Sequence, residues 1–86
     1  MKTFAEKMLA KREAELAQAM ADHAEWTAAL EAAEQEAVDF KAEFGVFPAS
    51  DVAEVRAMRG ITEAQTRIDA AKLGIRACER RIAHQG

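Results

Sequence analysis

An all-α fold, an antiparallel two-helix coiled-coil hairpin, is predicted for this 86-residue chain by three observations. Isoleucine recurs every seven residues in the second half, at Ile61, Ile68, Ile75 and Ile82. A matching heptad runs through Leu9, Leu16, His23, Leu30 and Ala37, with Ala19, Trp26, Ala33 and Phe40 three places on. The only Gly/Pro-containing break between them is the short stretch Gly45-Val-Phe-Pro48. A seven-residue apolar repeat is what a helix shows when one narrow stripe packs continuously against another helix.

The first helix should begin after Thr3, because Thr3-x-x-Glu6 is a capping box: the hydroxyl meets a backbone N–H and the carboxylate reaches back. It is expected to run over about residues 4–44. Gly45 suits the left-handed residue that ends a helix, with Val46 folding back on Phe40 in a Schellman-type stop, and Pro48 prevents continuation. After a turn at 45–50, Ser50 or Asp51 would cap a second helix over about 51–84. Val52, Val55, Met58 and Ile61 are spaced by three and drift around that helix. Gly60 lies in the drift, with Thr62-x-x-Gln65 behind it as a further cap signal, so a bend or break there is weighed against a continuous helix. The continuous or mildly bent helix is the reading adopted.

Antiparallel coiled coils place a residues opposite d residues. Pairing residues whose numbers sum to 94 sets Leu30 against Ala64, Leu16 against Cys78 and Trp26 against Ile68, large against small in nearly every layer. A slip by one heptad preserves the same rule.

The length is that of a single domain, residues 1–86, near the lower limit for an independent core. Half of the residues are apolar, but much of that half is alanine, which buries little area. The single Cys78 excludes an intramolecular disulfide and falls on the seam. With no long apolar run and with charges early in the chain, a soluble cytoplasmic protein without a membrane segment is expected. The formal net charge of −3 is unevenly distributed. Residues 13–40 carry eight acidic side chains and no Lys or Arg, whereas the basic residues concentrate from Arg56 onward. An acidic helix beside a basic one favours their mutual pairing.

Catalytic, cofactor and metal chemistry find no support in the residues present. His23 stands at a seam position without the Glu-x-x-His partner that a bundle metal site uses, and it reads as a polar residue that sets register. Cys78 lies a full heptad further along the expected seam, which defeats a Cys–His nucleophile pair. Glu31, Glu34 and Glu36 follow an exposed helical edge with no apolar pocket to raise a pKa. Neither Gly60 nor Gly74 follows a strand, so neither forms a phosphate-cradling loop. The expectation is a protein that is not an enzyme and that uses no cofactor and no metal.

Three surfaces remain for binding. One is the alanine stripe Ala10, Ala14, Ala17, Ala21, Ala24 and Ala28 on the outside of the first helix. Thr66, Ala70, Leu73 and Ala77 form its counterpart on the second. Alanine also serves as helix-propensity filler, but two nearly uncharged outer faces point to further helices packed on them. The second surface is the hairpin tip with Phe40, Phe44, Val46, Phe47 and Pro48, read first as a cap closing the turn and alternatively as an exposed plug. The third is the end where the termini meet, with Lys7, Lys11, Arg76, Arg80 and Arg81 beside Lys2 and Arg12. Cations at a helix C-terminus are favoured by the dipole alone, and no nucleic-acid motif accompanies them, so direct nucleic-acid binding ranks third. The leading expectation is a non-enzymatic interaction protein, an adaptor or self-assembly subunit that pairs as a homodimer into a four-helix bundle or docks on a larger protein. The alternative is a small acidic inhibitor, of the kind phages use against defence machinery, whose Glu31, Glu34 and Glu36 edge occupies a nucleic-acid-binding groove.

Overall fold

The structure is a computed structural model that describes residues 2–49 and 52–85. Helix α1 spans Phe4–Phe44 and helix α2 spans Val52–Gln85, and the two pack along their length as a hairpin 66 Å long and 17 by 14 Å across. Thr3 sits in extended conformation before α1, and its Oγ1 accepts the Glu6 N–H at 3.2 Å. The cap on Ser50 or Asp51 falls outside the described residues.

Glycine ends α1, although by a simpler motif than expected. Gly45 adopts φ 81°, and its N–H donates to the Lys41 carbonyl at 2.7 Å. That single bond is the αL motif, not the Schellman pair. Val46 accordingly does not fold back on Phe40: it is 63% exposed.

Helix α2 runs unbroken through Gly60. Thr62 is an interior residue there, donating its hydroxyl to the Met58 carbonyl at 3.1 Å, as Thr66 does to Thr62. Glycine in a helix interior costs about 1 kcal/mol relative to alanine, and here the indole of Trp26 covers it. A Cβ built on Gly60 would overlap the Trp26 ring.

That contact corrects the register. Trp26 meets Gly60, and the Arg12 stem lies on Gly74, where an added Cβ would stand 3.0 Å from Arg12 Cδ. Both pairs sum to 86, and the Asp22–Arg67 ion pair sums to 89. The helices are therefore displaced by about one heptad from the sum of 94. Leu16 comes level with Ala71 rather than Cys78, and Trp26 lies beside Gly60 and Ile61 rather than Ile68. The reason is volume. In the other register the broad Trp26 ring would meet the Arg67–Ile68 segment, and Arg12 would face the like charge of Arg81.

The core is thin. Ala5, Ala19 and Ala33 from α1 and Ala57, Ala64, Ile68, Ala71 and Cys78 from α2 are buried. Among the described residues Ile68 is the largest side chain so enclosed, while Leu9, Leu16, Leu30, Ile61, Ile75 and Ile82 are only half-buried. The two helix glycines differ in what they accommodate. Gly60→Ala should destabilise the hairpin by about 1–3 kcal/mol because the new methyl must displace the indole. Gly74→Ala meets only a flexible arginine stem and should be neutral or stabilising by up to about 1 kcal/mol through helix propensity. Urea denaturation of both variants measures the contrast, and equal effects would contradict the register.

Candidate interaction surfaces

The long axis separates the surfaces. All six stripe alanines, Ala10, Ala14, Ala17, Ala21, Ala24 and Ala28, are exposed on α1. So are Thr66, Ala70, Leu73 and Ala77 on α2, with Leu73 63% exposed. These residues line up on outer faces because three- and four-residue steps return to one side of a helix. Glu31, Glu34 and Glu36 are likewise exposed, as the sequence implied.

At the tip, exposure replaces the expected closed cap. Phe44 is 60% and Phe47 56% exposed, and Phe40 and Phe44 make a tilted ring contact, with centroids 4.5 Å apart at 42°. Two helices and a short turn have no third element to cover three aromatic rings. Lys41 Nζ stands 4.5 Å over the Phe47 ring in a cation–π contact. Val38, Val46, Val52, Val55 and Met58 join the aromatics as large exposed apolar residues at this end. Sequence reasoning did not assign Lys41, Val52, Val55 or Met58 to the tip surface. The available signal was the spacing by three in Val52-x-x-Val55-x-x-Met58, which carries those residues off the seam and into solvent.

At the opposite end Lys7, Lys11, Arg76, Arg80 and Arg81 are exposed. Arg12 departs from this group: its stem packs on Gly74 and its Nη1 donates to Glu15 Oε2 at 2.8 Å, so its charge is largely satisfied within the hairpin. Arg12 also lines, with Phe4, Met8, Gly74, Cys78 and Arg81, a depression of about 190 Å³.

Half-buried His23 remains a seam residue, and its carbonyl accepts the Thr27 hydroxyl at 2.8 Å. Among the described residues no three His, Cys, Asp or Glu side chains converge as a metal would require. No helix among them is long and apolar enough to cross a membrane. The acidic and basic helices meet where Arg67 Nη2 binds Asp22 Oδ2 at 2.7 Å, while Gln18 Nε2 donates to Asp22 Oδ1 at 2.9 Å. The chain matches no protein family, no curated protein and no solved structure.

Hydrogen bonds from Arg67 and then Gln18 hold the Asp22 carboxyl below its ordinary value of 3.8. A depressed folded-state pKa contributes stability that is complete above the unfolded value and disappears as pH falls through the folded one. Asp22→Asn should therefore flatten the acid limb of the stability curve below about pH 4. Thermal melts of both proteins between pH 2 and pH 6 measure this; superimposable acid limbs would mean the pair is broken in solution.

Proposed function

We propose that this chain is a non-enzymatic helical interaction protein that functions with its outer faces covered by other helices. The observation that carries the reading is the surface left wet by the hairpin. Its accessible area is 6485 Å², against roughly 5,000 Å² for a compact protein of the same mass. The excess of about 1,500 Å² is comparable to the total area that a standard protein–protein interface removes from water. The exposed alanine stripes, Leu73 and the aromatic tip make much of that surface apolar, and exposed apolar faces of this kind support an association reading. A seam of alanines and half-buried leucines and isoleucines gives a thin core, to which further burial would add stability.

Sedimentation equilibrium against concentration tests this. The wild type should exceed its 9.4 kDa chain mass at micromolar concentration. Glutamate at Ala17, Ala21 and Ala24, or at Ala70, Leu73 and Ala77, should reduce that mass with helicity retained for at least one of the two faces. A wild type that is a fully helical monomer at high micromolar concentration, with neither triple variant less stable, would reduce the stripes to helix-propensity filler.

A further inference from the structure

The hairpin is polarised along its length in charge and in apolar character together. Residues 1–11 and 76–86, at the terminal end and without the Glu15-paired Arg12, carry six basic and two acidic side chains, a net of +4. Residues 31–63, around the tip, carry eight acidic and three basic side chains, a net of −5. The acidic end holds the exposed Phe44 and Phe47. The basic end holds the depression lined by Phe4, Met8, Arg12, Gly74, Cys78 and Arg81. One end therefore presents aromatic rings, with Lys41 over Phe47, within a net acidic segment, and the other a recess lined by apolar side chains and two guanidinium groups.

We infer that the partner of these two surfaces is a second copy of this chain, lying antiparallel, with the phenylalanine tip of each copy seated in the terminal depression of the other. This rests on the interaction reading above and specifies its partner and orientation. Charge complementarity selects the antiparallel arrangement: it brings +4 against −5 at both ends, whereas a parallel pair brings like charges together at both. A two-fold axis makes the two contacts equivalent and closes the assembly. Ala77 belongs both to the outer stripe of α2 and to the depression, so the α2 face continues the same contact surface. The area is sufficient: removing about 800 Å² from each copy makes a standard interface, well within the excess carried by each hairpin. Aromatic rings entering a recess lined in part by arginine gain apolar burial and cation–π attraction together.

Two single-cysteine chains, Lys2→Cys and Ala49→Cys in a Cys78→Ala background, are mixed and oxidised, and the products are resolved by mass. The two positions lie at opposite ends of a 66 Å hairpin, so a bond between them must join different chains. The 2–49 heterodisulfide should dominate. Predominant 2–2 and 49–49 products would overturn the antiparallel seat while leaving self-association intact, and a helical monomer by sedimentation would overturn both. In a second arm, Arg80→Glu with Arg81→Glu should weaken the dimer by about tenfold or more. Adding Glu36→Lys with Glu43→Lys should restore it. Dimerisation indifferent to both pairs of substitutions would reject the end-to-end charge contact, and circular dichroism on every variant separates loss of association from loss of fold.

Discussion

Two bulky side chains of α1, Trp26 and Arg12, meet two glycines of α2, Gly60 and Gly74, and both pairs are fourteen residues apart. Each glycine sits at a position flanking the isoleucine stripe, where an ordinary side chain would hold the helices apart. Its absence lets the indole or the guanidinium stem lie against bare backbone. Because the fit is steric, it responds to a shift of a single turn, whereas leucine against alanine fits equally well after a slip of seven residues. Much else follows from that alignment. It brings Asp22 within reach of Arg67, keeps α2 continuous through a residue that helices disfavour, and fixes which residues end up beyond the last packed layer, at the tip.

A two-helix layer imposes a second constraint. Each helix has one neighbour, so the part of its circumference that can be dried is narrow. Alanine allows close approach of the backbones but removes little apolar surface from water, at about 25 cal/mol per Å². The large residues that supply more area remain partly wet because nothing covers their far side. The radius of gyration, 19.5 Å, against about 12 Å for a compact chain of this length, expresses the same geometry. A rod built this way has ample surface and little interior, an imbalance that association would relieve without lengthening the chain.

The two helices, their span and the turn were legible because heptad spacing, a capping threonine and a Gly/Pro break are local signals. Register was not read correctly. The rule that places a opposite d is unchanged by translation through seven residues, and large-against-small pairing at the isoleucines is nearly as good in either frame. The information that breaks the tie lies outside the a and d positions, in Gly60 and Gly74, and it becomes visible only when the tryptophan and arginine opposite are sized against them. The outer stripes were legible from spacing alone. The tip was only partly so: three phenylalanines announce an apolar surface, but how far they close on one another is a matter of packing, in which Phe40 and Phe44 meet while Phe44 and Phe47 stay more than half exposed. Arg12 was misplaced for a related reason, since composition counts its charge at the basic end while packing draws it into the seam.

Segregation of charge matters because of the ratio between the rod and the screening length. At physiological ionic strength the Debye length is about 8 Å, far shorter than the 66 Å axis. The two ends of one molecule therefore scarcely sense each other, and each acts as an independent local patch. An arrangement of copies is then judged contact by contact. Parallel neighbours place like charges within screening distance at both ends. An open head-to-tail series satisfies one pair of ends at each junction but leaves the long alanine-rich flanks in water and does not close. Antiparallel neighbours satisfy both ends and dry a flank in the same step. In a pairing of copies, the polarity of the sequence, acidic through the first helix and tip and basic where the chain begins and ends, would select an orientation that apolar burial, being non-directional, has no means to select.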